Sequence, residues 1–439
     1  MAAPVVKQCL HVHRADALLE VLAAAYDCAR AGEPGPVLLE IDSALLEASA
    51  GDGQVSAQAR SARPDVAPLA DAIAASRRPV IVAGQGAQGA AARVQALAER
   101  LAAPVLFTSS GRGVLSDEDP HAFVQDFSTG LGPVVPGLLQ QADLILALGC
   151  KFSRNGSAGG RLELPAAKLV RVDASAEVLE ANYPARLGIH ARVEDVLEAL
   201  AEVDLPFAQW PAAELAAARE RLQADRRQPI DFEPTLPDVP GGSLRDVFAA
   251  LAAVSGERAV YVTDAGLHQA LTRRYASVRR PRGLLCPSDF QSMGFGLPGA
   301  IGASLARPDA SVIACIGDAG LVLSMGDLVT AVREGVDLVV VVFNDGQMNL
   351  IRRQQLATHG HASGVEVAAP DLAALAGAVG CSYFPLHGDP EGVARQVFAA
   401  QGVRLVELRL ADAPSLEWQR LKAVVREGVR ARLPEGGVA

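Results

Sequence analysis

Short apolar runs alternating with helical patterns constrain this chain more than any other feature. PVIVAG (79–84), APVLFTS (103–109), ADLILALG (142–149) and KLVRVDA (168–174) form one set. RAVYVTD (258–264), SVIACIG (311–317), DLVVVVFN (337–344) and RLVELRL (404–410) repeat the plan later. A run rich in Val, Ile and Leu, too short for a helix and bounded by turn residues, reads as a strand buried on both faces. Such strands separated by helices pair in parallel, because a parallel neighbour is reached only through a long crossover. The expected fold class is α/β, with two doubly wound parallel-sheet domains.

Punctuation divides the chain into three blocks. Residues 1–50 hold one helical pattern, DALLEVLAAAYDCARAG, then Pro34-Gly35-Pro36 and the apolar run VLLEI. One helix and one strand cannot bury their own apolar faces, so this block reads as a piece of a larger domain. The two alternating blocks occupy 65–205 and 241–439. Between them, the charged helical segment 212–227 and the Pro-rich stretch 228–240 read as a linker.

Charge narrows the partners. A net charge of −10 and a pI near 5.4 oppose a nucleic-acid or anionic-membrane surface, both of which need a clustered positive field. Six cysteines stand without a C-x-x-C pair, so neither a zinc site nor a disulfide framework is expected. MAAPVVKQCLHVHRAD lacks the apolar core of a secretory signal. A soluble, cytoplasmic protein acting on a small molecule is the expectation.

The chemistry concentrates at two strand ends. One apolar run closes on Gly317-Asp318 and the next, 27 residues on, closes around Asp345 in Asn344-Asp345-Gly346. In open parallel sheets ligands sit beyond the carboxyl ends of strands, and an intervening helix of about 15 residues, LSMGDLVTAVREGV, would return the chain so that both ends face one way. Asp318, Asp345 and the backbone carbonyl of Gln347 offer hard oxygen donors suited to Mg²⁺ with phosphate oxygens. Gly317 and Gly320 permit close backbone approach, and a helix N-terminus after Gly320 would face an anion. Asp and Gly are equally ordinary turn residues, so the same stretch also reads as plain strand-end turns.

Gly317-Asp318-Ala319, a gap, then Asn344-Asp345 resembles the metal–diphosphate motif of thiamine diphosphate (ThDP) enzymes of the acetolactate synthase-like family. SDFQSMGFGLPGAIGASLARP (288–308) is similar to the segment preceding that motif. The resemblance implies that Met293 props the bent cofactor, with Gln291 in the same segment. VTDAGLHQA (262–270) resembles the diphosphate-side loop, which implies Ala265, Gly266, Leu267 and His268 near the phosphates, alongside Gly317, Asp318, Ala319, Gly320 and Asp345. It also implies metal ligation by Asp318, Asp345 and Gln347. Two departures bear on specificity: Asp345 stands where the family usually has asparagine, and Gln354 where the anabolic synthases have tryptophan.

On this resemblance, 1–50 is a remnant of the pyrimidine-binding domain, 65–205 a central Rossmann-like domain and 241–439 the ThDP diphosphate- and Mg²⁺-binding domain. The family's activating glutamate belongs to the missing part, and neither Glu33 nor Glu40 matches it. The implied activity is decarboxylation or carboligation of a 2-oxo acid such as pyruvate, in a homo-oligomer or beside a separate chain supplying the pyrimidine domain. An internal start and a catalytically silent ThDP-binding or regulatory subunit are the alternatives. Gly84-Gln85-Gly86-Ala87-Gln88-Gly89 satisfies G-x-G-x-x-G, so an NAD- or FAD-dependent oxidoreductase is a further alternative. Against it, APVLFTSS ends without the acidic residue that would hold an adenosine ribose. LGCKFSRNGSAGG (148–160), with Lys151 and Arg154, stands where biosynthetic relatives have an arginine-rich FAD segment, and no FAD is expected.

Overall fold

The computed structural model describes residues 2–49, 63–127, 131–205, 210–230, 233–288 and 290–411. The polar stretch after Ala48 and the charged helical pattern after Leu410 lie largely outside the described residues.

The N-terminal unit pairs β1 (Gln8–Val12) with β2 (Val37–Ile41) in parallel, joined by the helix Leu18–Arg30. QCLHV was not expected as a strand: its polar residues break the apolar run, and pairing with VLLEI supplies the order that its own pattern does not.

The central sheet contains β3 (Pro79–Ala83), β4 (Val105–Phe107), β5 (Ala122–Phe123), β6 (Leu144–Leu148), β7 (Leu169–Asp173) and β8 (Leu187–His190), all parallel, in the order β5-β4-β3-β6-β7-β8. Apolar clusters cover both faces, Ile81 and Leu146 lying in one and Val80 and Ile145 in the other. Its G-x-G-x-x-G loop serves internal packing. A Cβ on Gly84 would stand 2.0 Å from the Gly149 carbonyl oxygen, and one on Gly89 would stand 2.1 Å from Glu194 Oε1. The Glu194 carboxylate packs against Gly89, which is one reason this position takes no side chain. Lys151 pairs with Glu33 at 2.5 Å, tying this sheet's loops to the N-terminal unit.

The expected linker instead joins both cores. The helix Ala212–Arg227 buries Ala218 and Leu222 with the central domain, while Leu236 and Val239 sit in the C-terminal core. Charged residues on the other faces of that helix concealed the short apolar stripe.

The C-terminal sheet holds β9 (Ala259–Thr263), β10 (Leu284–Leu285), β11 (Ser311–Gly317), β12 (Leu338–Asn344), β13 (Ser382–Pro385) and β14 (Val403–Arg409), again all parallel, in the order β10-β9-β11-β12-β14-β13. Ile313, Cys315, Val339 and Val341 face one cluster, and Val312, Ala314, Ile316, Val340 and Val342 the other.

A buried charge cluster pins the two large domains together. Arg112 pairs with Asp117 at 2.6 Å, donates from Nη2 to the Ala276 carbonyl at 2.6 Å and also donates to the Arg273 carbonyl. Asp117 accepts from the Val278 amide at 3.1 Å. Burial works against the Asp117 charge, but Arg112 and Arg226 outweigh it and hold the carboxyl below its usual range.

Candidate cofactor and metal site

In the C-terminal sheet β9 leads outward to β10 while its neighbour β11 leads the other way to β12. That reversal creates a crevice beyond the carboxyl ends of β9 and β11, the place where open α/β sheets take ligands. Three acidic residues stand at the adjacent strand ends: Asp264 after β9, Asp318 after β11 and Asp345 after β12.

Asp318 is 3% exposed, and its two oxygens accept from the Ala319 and Gly346 amides, each at 2.7 Å. Burial, and then the nearby charge of Asp345, push its carboxyl up to about 6. A carboxylate that raises its neighbour in this way repels it, and a divalent cation between the two would relieve the repulsion. Asp345 accepts from the Gln347 amide at 3.1 Å and from Asn349 Nδ2 at 2.8 Å. Asn349 is in turn held by Arg353, whose Nε donates to its Oδ1 at 2.8 Å. Gln347 is placed by an antiparallel bridge to Glu366.

The helix here begins at Asp318, not after Gly320, and it breaks at Met325-Gly326 into Asp318–Ser324 and Asp327–Arg333. The Asp318 carboxylate claims the Ala319 amide, and the helix starts three residues earlier than the glycines alone suggested. Gly320 has a different use: a Cβ there would stand 2.2 Å from Asp264 Oδ2.

Asp264, which sequence reasoning did not single out, joins the two loops named for the cofactor. It is fully buried and accepts from the Ala265 amide at 2.8 Å and the Gly294 amide at 2.9 Å. Burial raises its carboxyl, and those amides oppose the shift. Its position at the end of an apolar run, one strand over from Asp318, was the available signal.

Gly266 has φ +151°, and Leu267 opens the helix Leu267–Tyr275 behind it. A Cβ on Gly317 would stand 3.0 Å from His268 Nδ1, so the His268 ring lies against the β11 end. Burial drives His268 down to about 4, which keeps the ring neutral. Met293 is 39% exposed beside the Asp264-anchored Gly294. Gln291 is not drawn in. It adopts φ +52°, and its amide donates to the Ser288 carbonyl of its own segment at 3.1 Å.

These residues fit a phosphorylated cofactor with its metal. Among the described residues, His268 Nε2 and Gln347 Oε1 are shielded polar atoms without a hydrogen-bond partner. The donor set is hard oxygen, which suits Mg²⁺.

Comparison with known proteins agrees with this geometry. Residues 264–408 match the C-terminal TPP binding domain of thiamine pyrophosphate enzymes, and residues 66–200 match their central domain. The chain is 32% identical over 411 residues to a "probable 2-ketoarginine decarboxylase" of Pseudomonas aeruginosa, covering 90% of this chain and 70% of that protein. It is 30% identical over 360 residues to the acetolactate synthase isozyme 1 large subunit of Escherichia coli, covering 80% of this chain and 62% of that protein. An acetolactate synthase of Mycobacterium leprae is 29% identical over 408 residues, with 63% of its length covered. The chain thus spans about two thirds of the length of these curated relatives. It belongs to the acetolactate synthase-like family of thiamine diphosphate enzymes.

Proposed function

We propose that this chain anchors ThDP and Mg²⁺ for decarboxylation or carboligation of a 2-oxo acid such as pyruvate. The reading rests on one observation: Asp318, its carboxyl pushed up by burial and then by Asp345 at the next strand end of a TPP binding domain. Asp318, Asp345 and the Gln347 carbonyl would hold the metal. Gly317, Ala319, Gly320 and the segment Ala265, Gly266, Leu267 and His268 would line the diphosphate, and Met293 would support the cofactor's shape. When bound, ThDP supplies the electron sink that lets a 2-oxo acid lose CO₂. The chain's own contribution is to fix the metal's oxygen ligands and to present a neutral imidazole rather than a second cation.

In this reading residues 1–50 belong to a pyrimidine-binding domain, 65–205 are the central domain and 241–439 the diphosphate domain, and a pyrimidine-binding domain covers the crevice. Exposed apolar side chains beside the Gly294 segment support such a cover: Phe290 is 93% exposed and Leu323 65%. Surface of this kind marks interfaces. No helix among the described residues is long and apolar enough to cross a membrane.

A ThDP-binding subunit without turnover is the second reading. It is favoured by the engagement of Glu33 with Lys151, and by the placing of Glu40 on β2 directly opposite His11. Calorimetric titration with ThDP in Mg²⁺ tests the site. Saturable binding, abolished by EDTA and by Asp318→Asn, is expected, and absence of binding in wild type with Mg²⁺ would refute the assignment. Pyruvate consumption by the chain alone, then with a pyrimidine-domain chain added, separates the two readings: turnover in either case excludes the silent one.

A further inference from the structure

The N-terminal unit carries a second convergence of ligand atoms, unrelated to the crevice. His11 lies in β1 and His13 just past its end, with the buried Val12 between the two exposed rings. The parallel register sets Glu40 opposite His11, and Asp42 follows directly after β2. His11 Nε2 lies 3.1 Å from Asp42 Oδ1, and His13 Nδ1 lies 3.0 Å from Asp42 Oδ2. The two imidazole centroids are 4.0 Å apart, and one ligand atom from each of the three residues falls within a 4.8 Å span.

Tetrahedral Zn²⁺, with bonds of about 2.0–2.2 Å, spaces its ligand atoms roughly 3.2–3.6 Å apart. The nitrogen–oxygen separations here lie within a few tenths of an ångström of that spacing. Glu40 adds an independent observation, because its Oε2 stands 3.8 Å from His11 Nδ1, on the ring nitrogen turned away from Asp42. A carboxylate behind a ligating histidine fixes the tautomer and raises the basicity of the nitrogen facing the metal. Exposed histidine–carboxylate pairs by themselves contribute only about 0–1 kcal/mol, which is little reason for three side chains to converge at a surface.

We propose that His11, His13 and Asp42 form a Zn²⁺-type transition-metal site with Glu40 as the orienting carboxylate. Three protein ligands leave a fourth position open to water or to a small anionic ligand. Imidazole nitrogen favours Zn²⁺ over Mg²⁺, so this site and the all-oxygen crevice would take different ions from the same solution.

The test is titration of the purified full chain with Zn²⁺ in a large excess of Mg²⁺. One Zn²⁺ per chain is expected, at least tenfold weaker in His13→Ala and in the isosteric Asp42→Asn, and weaker by a factor on the order of ten in Glu40→Gln. The Co²⁺-loaded chain should show the visible absorption of tetrahedral Co²⁺, lost in Asp42→Asn. The proposal is overturned by absence of Zn²⁺ binding or by wild-type titration of both His13→Ala and Asp42→Asn. Loss of binding instead on changing His359 and His361 to alanine would overturn it equally, since those rings lie 6.3 Å apart elsewhere on the chain.

Discussion

Replacing Asp318 by asparagine should change how stability responds to pH, and the sign follows from the crevice. In the metal-free fold Asp318 keeps its proton up to about 6, against an ordinary 3.8. Between those values the folded chain binds more protons than the unfolded chain, so this group makes stability fall as pH rises through the window. The full shift corresponds to about 3 kcal/mol at roughly 1.4 kcal/mol per pH unit, and residual solvent screening reduces it to about 1–2 kcal/mol. His268 acts in the opposite sense. It stays neutral down to about 4 against an ordinary 6.5, so its contribution is lost as pH falls from 6.5 towards 4. In wild type the two trends oppose each other, whereas Asp318→Asn removes the first and keeps the second. Urea unfolding in EDTA between about pH 4 and pH 7 should therefore give a wild-type profile flatter than the variant's, the difference changing by about 1–2 kcal/mol across the window. The loss of the bond to the Gly346 amide adds a constant offset that does not alter this slope. Added Mg²⁺ should raise wild-type stability at neutral pH and leave the variant unchanged. Parallel profiles in EDTA would refute the assignment of a repelled, buried carboxyl to Asp318.

Three further perturbations probe the supports of the crevice. Gly320→Ala places a methyl group 2.2 Å from Asp264 Oδ2. Overpacking of about 1–3 kcal/mol and loss of the bond to Gly294, about 1.5–3 kcal/mol, outweigh the roughly 1 kcal/mol helix gain of alanine. A net loss of about 2–4 kcal/mol in denaturant unfolding is expected, with weakened ThDP binding. Asn349→Ala removes the 2.8 Å bond that orients Asp345, and calorimetry should show Mg²⁺ affinity reduced on the order of tenfold, with far-UV circular dichroism unchanged. Arg112→Ala leaves Asp117 buried with the more distant Arg226 at 3.6 Å. Unfolding should then split into two transitions as the domains lose their pin, at a cost of about 3 kcal/mol.

The two parallel sheets were legible because eight of their strands are short, mostly apolar runs, and the candidate metal-binding strand ends were legible because Asp318 and Asp345 follow two of them. Asp264 follows another such run, but its use depends on the Gly294 amide 30 residues away, and that proximity is a product of folding. β5 and β10 have two residues each, too few for any pattern. β1 has mixed polarity and becomes a strand only against β2. The 212–240 stretch read as a linker because its few buried apolar residues are diluted by charge, and only tertiary contact shows which of them matter. The glycine fingerprint after β3 marks a tight loop, yet the side chain meeting Gly89 comes from Glu194, more than a hundred residues later.

The helix Leu267–Tyr275 touches both the crevice and the domain pin. Its first turn carries Leu267 and His268 at the β9 end, while Arg112 of the central domain grips the carbonyls of Arg273 and Ala276 at its far end. Nine residues of α-helix make a strut of about 13 Å, clamped at one end by a buried guanidinium and carrying the Ala265–Gly266 turn at the other. The central domain thereby acts as a fixed mount: a substitution that shifts it would carry the strut and the turn at the β9 end with it, without any change in a residue of the crevice itself.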